Sequence, residues 1–155
     1  MLQYEVVQRL TAKPGSKLWG RLGVMSQFHC DVEHVLDIKP QAFFPIPRVN
    51  SALIRLIPRK QPANGVNPEC LSKIVALCFG HRRKTLRNNL KGIFSEADLG
   101  GLNIDPSARP ETLVLRDFIA LTKNFQNGRN SPSNGRASTS SPRISRSQPS
   151  DNSKI

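Results

Sequence analysis

Two short stretches are all that this chain offers for building a β-sheet. Glu33 to Ile38 reads EHVLDI, and VNSALIRLI alternates strictly. In the second stretch Val49, Ser51, Leu53, Arg55 and Ile57 face one way, while Asn50, Ala52, Ile54 and Leu56 face the other. Apolar residues stand on both sides, which predicts a strand with both faces largely covered, ended by Pro58. Two strands do not make an independently stable sheet. Nor does the chain open on a strand: Leu2, Val6, Val7 and Leu10 fall at helical spacing, and Lys13-Pro14-Gly15-Ser16 ends that helix. A second short helix is expected in GRLGVMSQFHC, with Leu22, Met25 and Phe28 on one face. Residues 1–58 therefore read as an α/β fragment whose further strands come from other residues or from a partner.

Residues 59–68, RKQPANGVNP, have the composition of a linker. From Glu69 the apolar period becomes helical, through Leu71, Ile74, Val75, Cys78, Phe79, Leu86 and Leu90 to Ile93 and Phe94. Gly80 leaves one helix or two equally open. Gly100-Gly101 and Asp105-Pro106-Ser107 mark turns, and a further helix is expected from Leu115 to Phe125. Residues 69–125 thus form a small all-α domain. Residues 126–155 contain nine Ser and three Pro and hardly any apolar side chain, so nothing there offsets the entropy of ordering, and a disordered tail is expected.

The formal charge is +12, from 23 Lys and Arg against 11 Asp and Glu. Such a surplus favours polyanions, because each phosphate neutralised releases condensed counterions. A basic protein without such a partner is the alternative that composition leaves open. No apolar run approaches the ~18–20 residues that cross a bilayer, and MLQYEVVQRL lacks the pattern of a signal peptide; a cytoplasmic location is expected. Cys30, Cys70 and Cys78 are odd in number and form no CxxC pair, which argues against a disulfide framework. His29 and His34 stand five apart with no second ligand pair, so no metal site is expected.

The densest charge lies in His81-Arg82-Arg83-Lys84-Thr85-Leu86-Arg87-Asn88-Asn89-Leu90-Lys91. On a continuous helix Arg83, Arg87 and Lys91 would share a stripe at i, i+4 and i+8, widened by Lys84, with Leu86 and Leu90 toward the core. Repulsion along that stripe is relieved by a phosphate backbone, and guanidinium forks match phosphate oxygens. The alternative is a solvated face above an apolar one. In Ala42-Phe43-Phe44-Pro45-Ile46-Pro47-Arg48-Val49-Asn50-Ser51, the prolines hold the preceding residues extended. An aromatic ring held there could stack on a base. Equally, both rings could be core residues covering the sheet edge.

Five collinear stretches, MLQYEVVQRL, PGSKLWGRLGVMSQFHC, FFPIPRVNSALIRL, HRRKTLRNNL and IDPSARPETL, resemble the small-subunit rRNA adenine N6,N6-dimethyltransferase family over residues 1 to about 125. The resemblance implies that residues 1–58 are the end of a Rossmann-like methyltransferase domain and that 69–125 are a helical rRNA-contacting domain. It implies S-adenosylmethionine-dependent dimethylation of two adjacent adenines near the 3′ end of small-subunit rRNA during ribosome assembly. The partner would be that rRNA or a pre-small-subunit particle, met by a monomer. The pattern FxPxPxVxS falls on Phe43, Pro45, Pro47, Val49 and Ser51, assigning Phe43 to the target adenine. RRKTLRN falls on Arg82 to Asn88, giving Arg82, Arg83, Lys84 and Arg87, with Lys91, as the RNA-binding set. Trp19 stands where the family usually has Tyr, Asn50 for Asp, His81 for Gln, and Val114 for a helix-capping Ser; the last should weaken that helix start by about 1 kcal/mol. The family's glycine-rich cofactor loop and NLPY element would precede Met1, and no GxGxG occurs in the chain. Alone, the chain is therefore expected to bind no cofactor. A catalytically inactive rRNA-binding or ribosome-assembly remnant is the alternative.

Overall fold

The computed structural model describes residues 1–60, 65–81 and 83–130. The first turn expected to be helical is instead a two-residue strand, β1 (Leu2–Gln3), followed by α1 (Tyr4–Leu10). Helix α2 (Arg21–His29) leads directly into β2 (Cys30–Ile38), and β3 (Ser51–Pro58) returns antiparallel beside it. Among the described residues the sheet has the order β1-β3-β2, with Leu2 opposite Ala52 and Ile38 opposite Ser51. Val35 is an extra residue, because His34 faces Ile54 while Leu36 faces Leu53.

The expectation that β3 is covered on both faces does not hold. Ala52 is fully buried and α1 lies against β2 and β3, but Leu53, Leu56 and Ile57 are 37%, 48% and 50% exposed. Cross-strand partners share a face, so exposed Leu36 and Leu53 form an apolar pair in solvent. Nor do all three α2 residues face inward. Phe28 is buried and Met25 partly so, but Leu22 is exposed, and Val24 takes the inner position. The α1–α2 crossing is tight: a Cβ at Gly23 would stand 2.9 Å from the Arg9 carbonyl oxygen and 3.2 Å from the Trp19 ring.

Helix α3 (Pro68–Cys78) begins one residue earlier than the period suggests, because Asn67 caps it. The Asn67 side chain accepts from the N–H groups of Glu69 (2.8 Å) and Cys70 (3.3 Å), and Pro68 occupies the first turn, where no N–H is needed. Leu71, Ile74, Val75 and Cys78 form the buried face. Burial pushes the Cys78 thiol up to about 12, against a smaller opposing backbone hydrogen bond. Helices α4 (Leu86–Asn89), α5 (Glu96–Gly101) and α6 (Leu115–Asn130) complete the fold. The Gly100-Gly101 turn marker is thus the end of a helix, α5, whose start carries a full Ser95/Asp98 capping box. At α6 the Val114 N–H donates to Asp117 Oδ2 at 2.9 Å, so half of a capping box survives without the Ser hydroxyl. Helix α6 also continues through 126–130, which composition places in the tail. The remainder of that tail, 131–155, lies outside the described residues.

One buried cluster unites Ala12, Trp19, Val24 and Phe28 with Leu71, Ile74, Val75, Cys78, Leu86, Leu90, Phe118 and Leu121. Trp19 ties the two ends of the fold together: its indole N–H donates to the Leu113 carbonyl at 2.9 Å, ninety-four positions away. Gln27 caps the end of α1 through the carbonyls of Leu10 and Ala12.

Candidate nucleic-acid interface

The pairing of Ile38 with Ser51 holds the ends of the 39–50 loop side by side. Pro40–Ala42 form a single 3-10 turn, closed by the Phe43 N–H donating to the Pro40 carbonyl at 3.1 Å. Phe43 itself is extended, with φ −124° and ψ 150°, and the Phe44–Pro45 peptide is cis. Neither ring belongs to the core. Phe43 is half-buried and Phe44 wholly exposed, so the reading of both as core residues is overturned.

Beside the loop is a cleft of about 520 Å³ lined by Tyr4, Asp37, Lys39, Gln41 and Asn50, among others. Three contacts around it carry no linear signal. The Tyr4 and His34 rings meet edge to face at 6.5 Å, and His34 Nε2 lies 2.8 Å from Asp37 Oδ1. The Tyr4 N–H donates to the Asn50 carbonyl at 3.0 Å, fixing the loop's end to α1.

The basic segment is not the helix that its spacing suggests. Helix α3 stops at Cys78, the chain turns at Gly80, and among the described residues of the basic segment only Leu86–Asn89 are α-helical. In a continuous helix Leu86 and Arg87 would donate to carbonyls four residues back. Instead they donate to Ala108 (2.9 Å) and Pro106 (3.0 Å), on the turn that Asp105 and Ser107 close. Arg83 and Lys84 therefore lie in the preceding turn, and Lys91 follows the helix just before Gly92, which has φ +85°. The three-residue stripe does not exist. Leu86 and Leu90 are buried as expected, and Arg83, Lys84, Arg87 and Lys91 are all exposed. Arg87 is engaged by Glu96 at 3.3 Å. Arg82 lies outside the described residues.

Sequence reasoning also missed Asn89. Its amide donates to the carbonyls of Cys78 (2.7 Å), His81 (3.2 Å) and Lys84 (3.4 Å), pinning the basic turn onto α4. Its Oδ1 is buried without a hydrogen-bond partner among the described residues. An amide that gathers three carbonyls from one turn leaves no spacing pattern behind. Hydrogen bonds from Ser95 hold Asp98 below its usual carboxylate value, the backbone N–H acting more strongly than the hydroxyl. The Ser107 hydroxyl, and then its N–H, do the same for Asp105. Among the described residues no helix is long and apolar enough to cross a membrane, and no group of three or more His, Cys, Asp or Glu is placed to hold a metal.

The short antiparallel sheet with α1 and α2 against it, and α2 packed into the helical part, is shared with two solved structures. The crystal structure of a dimethyladenosine transferase from Plasmodium falciparum superposes with TM-score 0.69 at 22% identity, over 81% of this chain and 55% of that one. The 23S rRNA methyltransferase ErmE superposes with TM-score 0.58 at 26% identity, over 80% of this chain and 52% of that one. The family model for ribosomal RNA adenine dimethylase matches residues 1–127, and the chain belongs to that family. Its relatives include the ribosomal RNA small subunit methyltransferase A of Legionella pneumophila (strain Corby), 50% identical over 128 residues, covering 82% of this chain and 50% of the relative. That of Nitrosococcus oceani is 52% identical over 124 residues, covering 79% and 47%. The chain spans about half the length of these curated relatives.

Proposed function

We propose that this chain is part of an rRNA adenine N6,N6-dimethyltransferase and supplies contacts to small-subunit rRNA or a pre-small-subunit particle. The observation that carries this reading is the family match across residues 1–127, which takes in both the FFPIPRVNS loop and the basic segment. In this reading residues 1–58 end a Rossmann-like domain, and 69–125 are the rRNA-contacting part, acting as a monomer in the cytoplasm. Phe43 stacks on the target adenine. Arg82, Arg83, Lys84 and Lys91 meet phosphates, and Arg87 does so by exchanging Glu96 for phosphate.

The methyl donor of such an enzyme is S-adenosylmethionine, and the residues of this chain do not fit it by themselves. The sequence holds no GxGxG turn for close backbone approach. Among the described residues the carboxylate lining the cleft beside Tyr4, Asp37, is already hydrogen-bonded to His34. No methyl-transfer step is therefore assigned to these residues.

The test is to mix the chain with small-subunit particles lacking the adenine methyl groups, plus tritiated S-adenosylmethionine. Co-sedimentation is expected, weakening steeply with salt, with no tritium incorporated by the chain alone. Absence of binding at low salt would remove the rRNA reading. Methylation by the chain alone would overturn the argument about cofactor fit.

A further inference from the structure

The extended backbone at Phe43 turns adjacent side chains to opposite sides, so Phe43 and Phe44 cannot serve the same surface. Phe43 is half-buried, while the Phe44 ring is wholly in solvent, at 101% of its reference exposure. The ring stands on a loop whose two ends are clamped together by the Ile38–Ser51 pairing. Ile46 and Val49 of the same loop are exposed as well. Two exposed cations, Lys39 and Arg48, stand near the two ends of the same loop. Neither has a carboxylate within ion-pair distance among the described residues, and Asp37 is occupied by His34.

We infer that the 39–50 loop is a second RNA contact, in which Phe44 stacks on an unpaired base while Lys39 and Arg48 hold the flanking phosphates. The inference rests on the rRNA-directed reading above and assigns Phe44 a nucleotide other than the one Phe43 meets. A bare ring on a loop that also carries cations is the pattern by which single-stranded nucleic acid is held, because every base offers a π-face and every linkage a phosphate. A protein partner fits less well, since lysine is depleted from the cores of protein interfaces and this chain carries +12. Single-stranded rather than duplex RNA is specified because bases in an intact helix present no open face.

The test uses the full chain and a fluorescein-labelled single-stranded oligoadenylate of about ten nucleotides, read by anisotropy at several salt concentrations. Phe44→Ala should weaken binding by about 5-fold to 150-fold, the range that loss of one base stack produces, with the salt slope unchanged. Phe44→Trp should bind at least as well as the parent. Lys39→Gln with Arg48→Gln should lower the salt slope by up to about 1.4, or about 0.7 for each phosphate contact on a single strand. Because the Phe44 ring touches no core, circular dichroism should be unchanged in every variant. Parent-like affinity in Phe44→Ala overturns the inference. So does self-association, measured by light scattering, that Phe44→Ala abolishes while RNA binding persists, since the ring would then be a protein contact. A parent chain that binds small-subunit rRNA but not the oligoadenylate sinks this inference alone. A parent that binds neither sinks the rRNA reading with it.

Discussion

Trp19→Phe should cost the protein about 3–4 kcal/mol, and the reason lies in one hydrogen bond and one tight contact. The indole N–H is the donor that the Leu113 carbonyl meets at 2.9 Å in a buried setting, and phenylalanine has no donor to replace it. A buried carbonyl left without a partner costs about 1–3 kcal/mol. Phenylalanine also lacks roughly two carbon groups of the indole, at ~0.8 kcal/mol each. The space cannot close easily, because the ring is packed tightly against the backbone at Gly23. Against a total stability of about 5–15 kcal/mol, the variant should still fold but with its urea midpoint lowered by about 1–4 M. Far-UV circular dichroism is the proper probe, since Trp19 is the only tryptophan and its fluorescence disappears with the substitution. The bond couples the α1–α2 region to the start of α6, so hydrogen exchange should also quicken at Leu115 to Phe118. A midpoint shift below about 0.5 M with an unchanged slope would show that Trp19 does not join the two ends of the fold.

The revised basic segment predicts that Lys84→Gln with Lys91→Gln lowers the salt slope of rRNA binding by about 1.4–1.8, while Arg87→Gln lowers it less because Glu96 competes for that guanidinium; equal effects in filter binding would remove the competition. Asp98 and Asp105 titrate below their usual 3.8 in the folded state, so the stability they contribute is present above that value and is lost as pH falls through the lowered values. Thermal unfolding should accordingly show a smaller drop between pH 5 and about pH 3 in Asp98→Asn than in the parent, and identical drops would refute the capping-box contribution. With its thiol pushed up to about 12, Cys78 should resist a disulfide reagent at about pH 8 until the chain unfolds, whereas half-buried Cys30 and Cys70 react earlier. Equal labelling rates for all three would place Cys78 outside the core.

Local repetition made part of this protein legible. Leu71, Ile74, Val75 and Cys78 announce α3 because a helix repeats every 3.6 residues, and β3 alternates because a strand repeats every two. The caps at Asn67-Pro68 and Ser95 to Asp98 were also present as local patterns, and reading the second would have found α5. The FFPIPRVNS and RRKTLRN stretches located the candidate interface, but not the shape of either part. Spacing placed Arg83, Arg87 and Lys91 on one helix, and that failed because spacing carries no information about where backbone donors go. The carbonyls of Pro106 and Ala108, some twenty residues further along, take the N–H groups of Arg87 and Leu86 and prevent the helix from extending backward. Exposure is equally nonlocal. Alternation in β3 predicts two covered faces, yet only an element lying against a face can cover it, and α1 lies against one side. Phe43 and Phe44 are identical in chemistry and adjacent in sequence. The extended backbone and the clamped ends of their loop alone decide that one is half-buried and the other stands in solvent.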